Sequence, residues 1–175
     1  MIIGERIFEF DKHTYVMGIL NVTPDSFSDG GRWNTEDSAL KAAIRMVEEG
    51  ADIIDIGGES TRPGYTVVSE DEEIERVVPV ITRIKKETDI PISIDTYKSG
   101  VANAALSAGA DLVNDIWGLK HDSYMANVIA KYKVPCCIMH NRKDTDYTDF
   151  LQDVVSDLQD SLQIAKVAGI SDDKI

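Results

Sequence analysis

The stretch GADIIDI at 50–56 returns as GADLVND at 109–115. An echo of that kind, placed where a helical pattern gives way to an apolar run, marks a repeated helix-then-strand unit. Residues 36–49 set Leu40, Ala43, Ile44 and Val47 at helical spacing, Gly50 supplies the stop, and ADIIDIGG reads as a buried strand. The next helix opens at Ser69 with Glu72 in a capping-box pattern, carries Glu70, Asp71 and Glu73 where the helix dipole favours acids, and closes on Lys85 and Lys86. Pro79 inside it predicts a kink. A short strand, ISID, follows Pro91, and an Ala- and Ser-rich helix over 98–108 ends at Gly109. A helix near 122–133, the strand VPCCIM at 134–139 and a long acidic helix near 146–168, ending at Gly169, complete the alternation. At the start, IIGERIFEF and TYVMGIL flank the polar DKH, which predicts a small hairpin leading into a longer strand.

Apolar strands alternating with amphipathic helices through five successive units mean a parallel sheet covered by helices, an α/β fold. A doubly wound sheet and a (β/α)8 barrel both fit this alternation, and the strand ends separate them. Asn21, the Glu59-Ser60-Thr61 run, Asp95, the Asn114-Asp115 pair and His140 each follow a different strand. A barrel gathers its site from many strand ends in this way, whereas a doubly wound sheet concentrates it at one switch point and would want a GxGxxG turn that is absent here. The expectation is one domain over 1–175: a TIM (β/α)8-type barrel of which about the first five units follow the hairpin. Such a barrel takes ~250 residues, and the pattern calls for a sixth strand just after Gly169, so the chain reads as cut short at its C-terminal side.

Composition narrows the partners. The chain has 43% hydrophobic residues, enough for a folded core, and 18 Lys and Arg against 31 Asp and Glu, a net charge of −13. That balance argues against broad adhesion to nucleic acid or anionic membrane, so an anionic ligand must be held by local donors. No run approaches a membrane span and MIIGERIFEF lacks signal-peptide features, which points to a cytoplasmic protein. The adjacent Cys136 and Cys137 point to opposite faces of their strand and read as packing residues.

Two segments, VTPDSFSDGGRW and GGESTRPGY, concentrate Gly, Pro, Ser, Thr and Asp at the face where the polar strand ends converge, and together they read as lids. Gly57, Gly58 and Gly64 permit close backbone approach to a ligand, Ser60 and Thr61 offer donors, and Arg62 offers a planar fork suited to phosphate. Asp95 and Asn114 stand at the carboxyl ends of successive strands. His140 could be an acid, a ligand or a hydrogen-bonded wall residue, and the wall reading is favoured. Asp55 and Asp115 fit loop anchors as readily as ligand contacts.

Four strings, MGILNVTPDSFSDGG at 17–31, DIGGESTRPG at 55–64, SIDTYKSGVANAAL at 93–106 and GADLVNDIWG at 109–118, resemble dihydropteroate synthase, the folate-pathway transferase, and the resemblance runs over essentially the whole chain. It implies condensation of 4-aminobenzoate with 6-hydroxymethyl-7,8-dihydropterin pyrophosphate, with release of pyrophosphate assisted by Mg²⁺. By similarity Asp95 and Asn114 contact the pterin, and Ile116 and Met139 pack on its ring. Asn21 matches the residue near Mg²⁺ and the pyrophosphate, and Thr61 and Arg62 match the loop that meets the departing diphosphate. Phe27, Pro63 and Gly64 match the aminobenzoate pocket where sulfonamide drugs compete. The resemblance also implies a homodimer for the complete protein. It places further ligands, an acidic residue, a Lys, and an Arg with a His, on three later units, so the 175-residue chain alone is expected to be inactive. Two alternatives accompany this reading: a pterin-binding methyltransferase-type barrel, since IIGER is shared with such relatives, and a non-catalytic fragment.

Overall fold

The computed structural model describes residues 1–23, 31–59 and 67–175. Its first elements are two short strands, β1 (Ile2–Ile3) and β2 (Arg6–Ile7), paired antiparallel. The turn between them falls at Gly4, whose φ of 59° is the left-handed conformation a two-residue turn favours. The expected hairpin about DKH is therefore displaced: the turn forms inside the first apolar run, and residues 9–13 make a separate turn in which Glu9 O accepts from Lys12 N and His13 N. Ile3 and Phe8 pack on Ile53 and Leu112, with Met1 and Tyr15 beside them. The hairpin thus covers the amino-terminal end of the main sheet.

That sheet has five parallel strands in chain order: β3 (Met17–Asn21), β4 (Ile53–Gly57), β5 (Ile92–Asp95), β6 (Leu112–Asp115) and β7 (Cys136–Ile138). Between them run α1 (Gly31–Glu48), α2 (Glu70–Glu87), α3 (Ser99–Ser107) and α4 (Met125–Tyr132), with α5 (Phe150–Ala168) after β7. One row of strand side chains, Leu20, Ile56, Ile94, Val113 and Cys136, is in register across all five strands and lies in the core beneath the helices. Each βα unit buries its stripe there; α2 contributes Val77, Val80, Ile81 and Ile84. Ser69 caps α2 as its sequence predicts, its Oγ accepting from Glu72 N at 3.2 Å, and the helix continues through Pro79 to Glu87. Asp149 caps α5 in the same manner, and Gly169 closes it at φ 88°.

Two expected boundaries move. The first long helix begins at Gly31, inside the stretch read as a loop. After Gly169 the chain forms a 3-10 turn over Asp172–Lys174 instead of a strand, where paired acids at its start suit the helix dipole. Among the described residues β3 and β7 each have one strand neighbour. The fold is α/β of the TIM-barrel type, five consecutive units with the barrel not closed.

Candidate active site

Directly beside the buried apolar row, and on the opposite face of the sheet, Asn21, Gly57, Asp95, Asn114 and Cys137 form a second row in register at the carboxyl ends of the strands. Gly57 keeps this row open. A Cβ there would lie 3.6 Å from Asp95 Oδ2 and 3.7 Å from Asn21 Oδ1, filling the space between the two. One step toward the amino-terminal end, Asp55 pairs with Ser93 on the same face. Both are buried, and Asn114 Nδ2 donates to Asp55 Oδ2 at 3.2 Å. These two residues stand on β6 and β4, with β5 between them. Their contact requires a sheet that curves toward this face, as barrel layers built from alternate strands do.

Acid is crowded here. Burial, then the charges of Asp55, Glu73 and Asp115, push the Asp95 carboxyl up to about 7. Burial also raises Asp55, although Ser93 and Asn114 pull it back, and it raises Asp115 against the donors of its own loop. The row therefore holds a carboxyl near its midpoint at neutral pH, beside a carboxamide and a second amide.

Lys98, at the start of α3, supplies the cation for the outer part of this acidic cluster. Its Nζ donates to Glu59 Oε2 at 2.8 Å, Glu73 Oε2 at 2.7 Å and Val68 O at 2.8 Å. Glu59 also accepts from Val68 N at 2.8 Å and from the Tyr97 hydroxyl at 2.5 Å. Burial works against the Glu59 charge, but the Lys98, Tyr97 and Val68 donors prevail and hold its carboxyl below the usual range. Glu73, more deeply buried, stays above it despite Lys98. One ammonium thus ties together residues 59 and 68, which bound the segment carrying Thr61, Arg62, Pro63 and Gly64.

The other polar strand ends anchor loops. Asp115 accepts from Trp117 N and Leu119 N, each at 2.8 Å, which holds the turn in which Gly118 and Leu119 take positive φ. His140 Nε2 lies 2.8 Å from Asp157 Oδ2 on α5, and the same oxygen accepts from Arg142 Nε at 2.6 Å. His140 is thereby tied to α5 by a hydrogen bond, the arrangement that the wall reading calls for.

Of the residues singled out in the sequence, Asn21, Asp95 and Asn114 come together in one row. Ile116 and Met139 follow the ends of β6 and β7; Ile116 is half-buried, Met139 is exposed, and neither belongs to the core. Phe27, Thr61, Arg62, Pro63 and Gly64, with the lid reading of their segments, lie outside the described residues. Cys137 departs from its expectation. Only Cys136 packs against the helices, while Cys137 is exposed on the site face, because adjacent strand residues alternate sides. Lys98 has no place in the sequence reading, and Asp55, weighed there as a loop anchor or ligand contact, is instead the partner of Asn114. A Lys where a helix N-cap is expected, opposed by the dipole and offering no cap acceptor, is the signal in the sequence that it answers a tertiary partner.

An α/β sheet of barrel type with polar groups gathered at its strand ends defines a ligand-binding barrel domain. The particular family follows from comparison: the chain belongs to the pterin binding enzymes, whose pattern it matches over residues 17–175. It is 58% identical over all 175 of its residues to the dihydropteroate synthase of Clostridium beijerinckii, of which it covers 65%. It is 57% identical over 95% of its length to that of Bacillus subtilis, of which it covers 58%. A Clostridium difficile dihydropteroate synthase structure, determined in the presence of pteroic acid, superposes with a TM-score of 0.94 at 54% identity, covering 97% of this chain and 65% of that one. The Xanthomonas albilineans enzyme with 4-aminobenzoic acid superposes with a TM-score of 0.86 at 44% identity, covering 93% and 60%. The chain therefore spans about 65% or less of the length of these relatives.

Proposed function

We propose that this chain is the pterin-binding portion of a dihydropteroate synthase, which joins 4-aminobenzoate to 6-hydroxymethyl-7,8-dihydropterin pyrophosphate and releases pyrophosphate. The observation that carries the reading is the side-by-side placement of Asp95 and Asn114 at the open strand ends, in a chain that superposes on a synthase structure determined with pteroic acid. A carboxylate that accepts from ring N–H groups and a carboxamide that both donates and accepts match the mixed edge of a pterin. Ile116 and Met139, outside the core, are available to cover the ring faces.

In the reaction the amine lone pair forms the new C–N bond at the pterin methylene carbon, the C–O bond to the diphosphate breaks, and the diphosphate leaves with that electron pair. The aryl amine is neutral and nucleophilic, so no general base is needed to activate it, and it gives up its proton after attack. Catalysis is positioning plus stabilisation of the leaving charge. Asp95 and Asn114 orient the pterin. Asn21, exposed at the end of β3, is assigned to the diphosphate end together with Thr61 and Arg62. Phe27, Pro63 and Gly64 are assigned to the aminobenzoate.

Mg²⁺ fits this donor set. No group of three His, Cys, Asp or Glu side chains among the described residues could hold a metal, and Mg²⁺ bound through few protein oxygens, substrate phosphates and water needs none. Asn21 would hold it, and when bound it would neutralise the departing diphosphate. For the complete protein the proposal includes a homodimer in the cytoplasm. Among the described residues no helix is long and apolar enough to cross a membrane.

Calorimetric titration with 6-hydroxymethylpterin of the chain carried to the full length of its relatives tests the reading, and absence of binding refutes it. In the chain carried to the full length of its relatives, Asn21→Ala and Arg62→Ala are expected to depress pyrophosphate-dependent binding of 4-aminobenzoate while leaving pterin binding largely intact. Equal loss of both ligands would refute the division of roles.

A further inference from the structure

Asp55 is the buried acid that the assignment above leaves without a task. It lies one step below the ligand row and is 5% exposed, and its Oδ1 stands beside the Ser93 hydroxyl, which pulls its pKa down, with no well-formed hydrogen bond to either atom among the described residues. Its Oδ2 is the acceptor for Asn114 Nδ2. Because β4 and β6 are not neighbours, no backbone pairing holds these two side chains together. The small Ser93 on the intervening strand leaves room for the contact.

We propose that Asp55 is a positioning residue that dictates which way round the Asn114 carboxamide is presented to the ligand. The proposal rests on the reading of Asp95 and Asn114 as the pterin edge. A carboxylate can only accept, so it takes one Nδ2 proton and excludes the flipped amide, whose Oδ1 would face Oδ2 as a second acceptor. The ligand then meets one fixed pattern, the carboxamide oxygen and the second N–H. Without Asp55 both orientations are open, and the ligand must select one at a loss of affinity. The same carboxylate is among the charges that raise Asp95, which places it against both members of the pair.

Two measurements test this, using Asp55→Ala and the near-isosteric Asp55→Asn. In the ¹⁵N-labelled chain without ligand, with the Asn114 side-chain signal assigned by its loss in Asn114→Ala, one of the two Nδ2 protons is expected to exchange with solvent about tenfold more slowly than the other. Asp55→Ala is expected to remove that difference. A persisting difference overturns the proposal, whatever the protein binds. In titrations of the full-length chain with 6-hydroxymethylpterin at pH 8, where Asp95 is mostly ionised with or without Asp55, Asp55→Asn and Asp55→Ala are expected to weaken binding about 3- to 10-fold, with the loss vanishing in an Asn114→Ala background. An equal loss in both backgrounds would show that Asp55 acts independently of Asn114 and would overturn the proposal. Failure of the full-length parent to bind the pterin refutes the pterin reading instead, and the exchange measurement still decides the role of Asp55.

Discussion

Replacing Lys98 by Met keeps most of the side-chain volume and removes the cation that, among the described residues, Glu59 and Glu73 share. The two carboxylate side chains are 4% and 1% exposed and sit 2.8 and 2.7 Å from the ammonium, so the variant leaves two acids facing each other out of water. An exposed pair broken in this way would cost at most about 1 kcal/mol. A buried carboxylate stripped of its partner costs about 3–5 kcal/mol, a large part of the ~5–15 kcal/mol that holds a typical domain. The sign with pH follows from linkage. Without the cation the folded pKa values of both acids rise above their unfolded values, so the penalty is absent below the unfolded pKa and grows as pH rises through the folded one. Urea unfolding followed by circular dichroism is expected to show a deficit of about 3–5 kcal/mol at pH 8 and a much smaller one near pH 4. Adding Glu59→Gln and Glu73→Gln to the variant is expected to restore part of the pH 8 loss. A deficit below about 1 kcal/mol, or one equal at both pH values, would refute the reasoning.

Three further outcomes are expected. Asp95→Asn removes a charge-assisted acceptor of about 1.5–3 kcal/mol, so pterin binding measured by calorimetry weakens roughly 10- to 150-fold, and an unchanged dissociation constant would remove Asp95 from the site. With the Asp95 carboxyl at about 7 and its ionised form as the acceptor, pterin affinity of the full-length parent rises about tenfold from pH 6 to pH 8, and a profile that is flat, or that Asp95→Asn leaves unchanged, would contradict this. Iodoacetamide labels Cys137, exposed on the site face, in preference to the buried Cys136, whose thiol burial pushes up to about 12; the reverse order by peptide mass mapping would overturn the facing of β7.

Much of the fold is legible in the chain because its cues are local. Glycine stops, the Ser69 cap and runs such as IIDIG announce each unit, and alternation along a strand decides which residues face helices. The hairpin was misplaced because polar DKH outweighed a single glycine, when it is Gly4 that has the backbone freedom for the turn. The site divides along the same line. Asp95 and Asn114 stand at strand ends that the sequence reveals. The Asp55–Asn114 contact depends on curvature across three strands and the Lys98 contacts join segments 25 to 39 residues apart, so neither has a local pattern.

The order of the five parallel strands in the sheet is their order in the chain, and this bears on how the protein is made. Among the described strands each one from β4 onward meets a neighbour that is already made. Each unit docks against the edge completed just before it, so the sheet can grow during translation by addition at one side, with modest loop closure at each step. The cost is that every stage of growth presents a fresh unpaired edge. The inner face beside that edge is still open to water, as the 63% exposure of Ile19 illustrates. A nascent sheet of this kind is a template for its own neighbours on a polysome, and the pace of synthesis relative to docking sets how long each template lasts.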